Sequence, residues 1–225
     1  MPLRLHLRLL RGVSTAAPTT QGVQPCWKCH APLPAKAAAL FCPEPACGVI
    51  QPLAPQHVNH YALFSLPPPR AALTLDLPRL EAAFRATQRL LHPDKFATRS
   101  AEERRISQEN SSLVNQAYQV LRSRQERANY VLSTFHDIRV LEEGGTYSDT
   151  ALMTEVFALR EQVEEVAGPA EARALLAEQD ARLDALAAQL EDALKAGQRA
   201  QATALAVRMK YLSKVVDELA EKAEE

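Results

Sequence analysis

Four cysteines fall in one short stretch, as Cys26-Trp27-Lys28-Cys29 and Cys42-Pro43-Glu44-Pro45-Ala46-Cys47. Each close pair can bring two thiolates into one coordination shell, and the twelve residues between the pairs let them meet. Zn²⁺ suits four soft ligands in a tetrahedron, and a site with all four positions filled by sulfur leaves none for catalysis. Pro25, Pro32, Pro34, Pro43 and Pro45 punctuate the segment, which is too short to build a core, so metal binding would supply its folding free energy. Trp27 and Phe41 are expected to shield one side. His30 is an alternative ligand, and two disulfides are the alternative to a metal.

A second group is His92-Pro93-Asp94, between two stretches with helical patterning. Proline cannot continue a helix and pushes the residue before it out of the helical region, so an ordinary helix stop is one reading. Recognition is the other: Pro93 lowers the ordering cost of a loop on binding, and Asp94 offers a carboxylate to a bidentate arginine. A third group, Leu152-Met153-Thr154-Glu155-Val156-Phe157-Ala158-Leu159-Arg160-Glu161, places Met153 and Phe157 four residues apart on one helical face, which Glu161 and Glu165 extend with charge; plain core packing is the other reading of its apolar residues.

The elements that position these groups are helices. Tyr61, Phe64 and Leu66 read as a short buried helix and its exit. Asp76 is the expected N-cap of the next helix, with Pro78 in its first turn and Leu80, Phe84, Thr87/Gln88 and Leu91 on its buried face. A long helix is predicted from about Ser100 to near Phe135, with a stripe of Ile106, Leu113, Ala117, Val120 and Leu121. After a break at Gly144-Gly145, Ser148-Asp149 opens a helix to about Ala167. Gly168-Pro169 opens another, with Leu176, Leu183, Leu186, Leu190 and Leu194, ending near Gly197. The last carries Leu205, Met209, Leu212, Val216 and Leu219. Short turns predict an intramolecular antiparallel bundle, and the heptad-like Leu176, Leu183 and Leu190 leave a dimeric coiled coil as the alternative.

Composition agrees with an all-α fold: 47% of the 225 residues are hydrophobic, glycines number 7, and strong helix formers dominate. The net charge of −1 hides an asymmetry: residues 1–141 carry 17 Lys/Arg against 9 Asp/Glu, and residues 142–194 carry 3 against 13. Two surfaces with different partners are expected. The basic part is neither dense nor aromatic enough to point to nucleic acid, and no stretch approaches the roughly 20 apolar residues of a membrane span. No acid precedes Glu44, and Arg4, Arg8 and Arg11 line one face of a Leu-rich segment, the pattern of a mitochondrial transit peptide. A reducing matrix would favour zinc over disulfides.

Two antiparallel helices joined by His-Pro-Asp, with Arg79, Arg85, Arg89 and Lys95 on a basic face, resemble a J-domain. The strings Asn59-His60-Tyr61-Ala62-Leu63-Phe64, Leu91-His92-Pro93-Asp94-Lys95-Phe96, Val114-Asn115-Gln116-Ala117-Tyr118 and Arg127-Ala128-Asn129-Tyr130-Val131-Leu132 are similar to the HscB family of J-proteins, dedicated to iron–sulfur cluster assembly. The resemblance spans roughly residues 58 to 221, or from 26 if the animal form with its cysteine segment is the comparison. That form usually has two CxxC pairs, from which the Cys42/Cys47 spacing departs. The resemblance implies that His92, Pro93, Asp94, Arg85, Arg89 and Lys95 engage a mitochondrial Hsp70. It also implies that Met153, Phe157, Glu161, Glu165 and Tyr211 bind the cluster scaffold protein. Ala158 stands where the family usually has Glu.

The organisation expected is a transit peptide at 1–22, a zinc-binding tetracysteine segment at 23–55 (Cys26, Cys29, Cys42, Cys47), a J-domain at 57–135, a linker at 136–147 and a scaffold-binding three-helix bundle at 148–225. The location expected is the mitochondrial matrix, with the cytoplasm as a second site, and a homodimer is a further option. No Gly-rich phosphate loop is present, so the chain is not expected to be an enzyme that hydrolyses ATP. A general folding J-protein is the second reading. An enzyme using His92 and Asp94 as a dyad is the third and weakest, since residues around a proline rarely aim at one reacting atom.

Overall fold

A computed structural model describes residues 25–34, 39–54, 58–67, 73–140 and 149–224. The expected transit peptide, the Gly144-Gly145 break and most of the expected linker lie outside the described residues. Among those residues the chain forms seven α-helices and one 3₁₀ turn, with no strand beyond two isolated bridges.

Helix α1, His60–Leu63, is capped by Asn59, whose side chain accepts from the N–H groups of Tyr61 and Ala62. Helix α2, Leu77–Leu91, begins at Asp76, whose carboxylate accepts from Arg79 N–H, with Pro78 in the first turn where no N–H is missed. It ends at His92, and Pro93–Phe96 forms the 3₁₀ turn. Ser100 and Glu103 then make a reciprocal capping box that starts α3, Ala101–Arg122. Leu80, Leu91, Ile106, Val114, Ala117 and Leu121 bury the facing stripes of this hairpin, while Phe84 and Val120 stay half-buried.

The predicted single helix to Phe135 is two helices. The chain breaks at Ser123, which ends α3 in an extended conformation and caps α4, Arg124–His136, by accepting from Glu126 N–H. Buried Arg127 fills the break: Nη1 donates to the carbonyls of Leu121 and Arg122, and Nε donates to Leu73 O in the segment before α2. Burial lowers its pKa from the ordinary arginine value, yet it stays charged because these carbonyls replace water. Arg127→Met keeps the volume but leaves those carbonyls without a donor. It is expected to lower stability by about 3 kcal/mol in urea unfolding, against about 0.5 kcal/mol or less for exposed Arg79→Met.

Helix α5, Thr150–Glu165, starts at Asp149, which accepts from Leu152 N–H. Helix α6, Pro169–Lys195, has Pro169 at its first position, and α7 is Arg199–Glu224. Gly197 takes a left-handed φ of 69°, and the N–H groups of Gly197 and Gln198 return to Leu194 and Ala193 carbonyls, closing α6 as a glycine stop should. Glu155 pairs with Arg208, Arg160 with Glu218, and Lys222 donates to Val163 O, so α5 and α7 run parallel with antiparallel α6 alongside. Leu183 and Leu190 of the heptad-like stripe are buried within the chain and Leu176 is half-buried, as the intramolecular bundle requires.

The hairpin and the bundle share one hydrophobic cluster, running from Ile50 through Leu121 and Leu132 to Leu219. Polar contacts reinforce the join: Arg199 donates to His136 O and Asp137 O, Glu191 accepts from Leu73 N–H, and Arg124 pairs with Asp180 and Asp184. Helix α7 packs on α4 as well as on its bundle partners.

Candidate functional site

The cysteine segment is two knuckles brought together. In the first, His30, at a left-handed φ of 60°, turns the chain so that Cys26 N–H reaches Ala31 O and His30 N–H reaches Cys26 O. In the second, Cys42 N–H reaches Val49 O, and Gly48 supplies the left-handed turn. The four sulfurs lie within 4.8 Å of one another, with Cys26 Sγ 3.9 Å from Cys47 Sγ and Cys29 Sγ 3.6 Å from Cys42 Sγ. A tetrahedron of sulfurs at the usual zinc bond length of about 2.3 Å has edges of about 3.8 Å. The C-x4-C spacing still brings both of its sulfurs to the other pair, and His30 is not among the converging groups. All four cysteines are free.

Burial pushes the Cys26 thiol up, but the N–H groups of Cys29 and Lys28 and the neighbouring sulfurs outweigh it and bring it down to about 6, while burial drives Cys42 up to about 12. The Cys26 sulfur is thus the one most disposed to be a thiolate, and a bound cation would draw the others into the charged form. Buried Gln51 aims its side-chain amide at this sulfur: Nε2 donates to Cys26 Sγ at 3.2 Å and to Val49 O at 3.0 Å, leaving Oε1 buried without a partner. An unpaired buried amide oxygen costs about 1–3 kcal/mol, which a bond to a charged sulfur offsets better than one to a neutral thiol. The four cysteines can therefore hold a metal ion. Trp27 bridges the cysteine cluster and the main core and donates Nε1–H to Ile50 O. Phe41 packs on the main core and not on the cysteines, a correction to its expected shielding role, because it lies across from Ile50 in the bridge that carries the segment away from the site.

At the other end of the hairpin, His92 Nδ1 accepts from Asp94 N–H at 3.3 Å, capping the 3₁₀ turn, and lies 3.3 Å from Asp94 Oδ2. Adjacency to proline does not keep the two side chains apart, contrary to the sequence argument against a dyad. Both stand open to solvent, with the Asp94 side chain 88% exposed, and no wall excludes water around them. Arg89 and Lys95 are exposed, and Arg85 is exposed but paired with Glu81. Beside the turn, a cleft of about 910 Å³ between α2 and α3 is lined by Phe84, Arg85, Gln88, Arg89, His92 and Asn115. Gln88 spans it, donating to Asn115 Oδ1 and accepting from Ser111 Oγ–H, and Phe84 stacks on Tyr118 at 4.1 Å between ring centroids.

On α5, Phe157 is 62% exposed, the most exposed large hydrophobic side chain among the described residues, and Met153 is half-buried against the core. Glu161 and Glu165 are exposed. Half-buried Tyr211 lies on α7 between Arg208 and Glu218, the two residues that reach across to α5, so along the bundle axis it is level with Phe157. The Arg160–Glu218 pair ties α5 to α7 one turn beyond Phe157, and Glu155 is held by both Arg182 and Arg208. The Glu155 pairing joins all three helices, and its long sequence separations gave no signal in the spacing.

The comparisons with known proteins bear on the hairpin and the bundle together. Residues 148–220 match the family model of the HSCB C-terminal oligomerisation domain. The co-chaperone protein HscB homolog of Vibrio vulnificus is 34% identical over 166 residues, 72% of this chain and 95% of the relative. The HscB homolog of Burkholderia mallei is 36% identical over 138 residues, 61% of this chain and 72% of the relative. The crystal structure of human co-chaperone protein HscB superposes with a TM-score of 0.74 at 25% identity, covering 88% of this chain and 98% of that one. The chaperone HscB of Vibrio cholerae gives 0.59 at 30% identity over 73% and 96%. A bacterial relative matched over nearly its whole length, together with a bundle that fits the family's own domain model, shows that the chain belongs to the HscB family of co-chaperones.

Proposed function

We propose that this co-chaperone is a two-sided adaptor in iron–sulfur cluster biogenesis, working in the mitochondrial matrix. The bundle holds the scaffold protein carrying a nascent cluster, and the His92-Pro93-Asp94 turn presents it to Hsp70, whose ATP hydrolysis it stimulates. The chain supplies contacts and geometry, and its partner supplies the catalysis. The observation that carries this reading is the pairing, on one continuous core, of an open His-Pro-Asp turn flanked by Arg89 and Lys95 with an open Phe157 near half-buried Met153 and Tyr211. A large exposed aromatic flanked by carboxylates supports a specific protein contact more than a promiscuous one. Zinc in the cysteine centre is part of the proposal, supported by sulfur spacings that suit its bond length. The acid-free Arg4/Arg8/Arg11 segment supports matrix targeting.

The test is Hsp70 ATPase turnover with this protein, with the scaffold, and with both. Synergy is expected, with the pair exceeding the sum of the separate stimulations. Stimulation by this protein that the scaffold leaves unchanged would favour a general J-protein instead.

A further inference from the structure

Asn110 joins the two ends of the molecule. It is 1% exposed, on the face of α3 turned away from solvent. Its Nδ2 donates to Gln51 O at 2.8 Å and its Oδ1 accepts from Leu53 N–H at 3.0 Å, so one side-chain amide acts as a strand partner for the segment leaving the second knuckle. Gln51 in turn reaches Cys26 Sγ through Nε2. One turn back along α3, fully buried Ser107 donates Oγ–H to Leu91 O at 2.7 Å. Leu91 is the last residue of α2, its carbonyl is among those a helix end leaves without a helical partner, and the next residue is His92.

We propose that the cysteine centre, once loaded with metal, braces the His92-Pro93-Asp94 turn through hydrogen bonds from Cys26 to Gln51 to Asn110, then along the backbone of α3 to Ser107 and its bond to Leu91 O. The inference rests on the metal and J-domain readings above. The knuckles have almost no core of their own, so losing the metal releases the segment that holds Ile50 and Gln51 in place. Asn110 then loses the backbone it clamps, and the face of α3 that fixes Leu91 loosens beside the turn. Metal occupancy thereby sets how well ordered the turn is when Hsp70 meets it.

The full chain is compared as zinc-loaded protein and after chelation, with amide hydrogen exchange read at Lys95 and Ala97, whose N–H groups close the turn onto His92 O and Asp94 O. Chelation is expected to raise their exchange about tenfold. Asn110→Ala with zinc bound is expected to show the same rise while its cobalt(II)-substituted form keeps the thiolate charge-transfer bands of a tetrahedral site. Should that variant fail to fold, Ser107→Ala tests the far end of the line: its exchange is raised and no longer responds to metal. Unchanged protection at Lys95 and Ala97 on chelation, with the amides of Ile50 and Gln51 opening, overturns the brace. Failure of the purified chain to retain zinc overturns it together with the metal reading. Metal-dependent protection without any Hsp70 stimulation supports the brace and overturns the J-domain reading alone.

Discussion

Asp94→Asn is expected to abolish stimulation of Hsp70 ATP hydrolysis while leaving the unfolding midpoint of the protein unchanged. The side chain is 88% exposed, and its only contact among the described residues is the His92 ring, itself 58% exposed. The turn is held instead by the Asp94 main-chain N–H on His92 Nδ1, by Lys95 N–H on His92 O, and by Phe96 beneath it. Exposed substitutions of this kind change stability by about 0.5 kcal/mol or less. The partner sees something different. A carboxylate docked against an arginine makes two charge-assisted bonds, and the isosteric amide loses both the charge and one acceptor. Disrupting a desolvated charge pair costs about 2–5 kcal/mol, a factor of roughly 30 to several thousand in affinity. His92→Gln should give the same loss. The two readouts are single-turnover ATPase at saturating ATP and a urea unfolding curve. Normal stimulation by either variant would end the assignment of this turn to Hsp70, and a collapsed unfolding curve would mean that Asp94 holds the fold.

Arg85 is expected to contribute less to that encounter than Arg89 or Lys95. Its guanidinium pairs with Glu81 one turn back, which cancels much of the field it would project.

The parts of this architecture that were legible in the sequence are those set by neighbours along the chain. Asp76, Ser100 and Asp149 act as caps because the side chain that accepts and the N–H that donates are three residues apart. Pro78, Pro169 and Gly197 mark ends because their backbone limits are intrinsic. The two close cysteine pairs, which converge and could hold a metal ion, were legible for the same reason. The break at Ser123 escaped because the apolar stripe runs on from Leu121 through Ala128 to Val131 and Leu132. What interrupts it is Arg127 turning back onto Leu121 O and across to Leu73 O, a partner 54 residues away. Asn110, Gln51, Ser107 and the Glu155 pairings were illegible on the same grounds. Asn and Ser in the middle of a helix look like solvent-facing residues until the segment that covers them is known. The closing of α7 on α4 was not legible either, since nothing in either amphipathic pattern says which of its neighbours a half-apolar face will meet.

The paired change Met153→Ala with Phe157→Ala is expected to weaken scaffold binding far more than it weakens the fold. Phe157 leaves most of its ring in water, so removing it takes away little that folding buried. Met153 is half-buried against the core, and truncating it should cost about 1 kcal/mol of stability, less than the 2–5 kcal/mol of a fully buried methionine. At an interface the balance reverses. An exposed aromatic that becomes desolvated against a partner behaves as a hot spot worth about 2–4 kcal/mol, with Met153 and Tyr211 filling the space around it. Together the two changes should reduce affinity by about two orders of magnitude, or about 3 kcal/mol. Because Glu161 and Glu165 lie on the rim, Glu161→Gln with Glu165→Gln should act mainly on the association rate and on its salt dependence. Titration calorimetry with the scaffold, set beside thermal unfolding, separates the two effects. A large drop in melting temperature with unchanged affinity would mean that Met153 and Phe157 belong to the core and that the scaffold docks elsewhere. Loss of affinity in a chain that still unfolds near the wild-type temperature is what an open Phe157 on α5 requires.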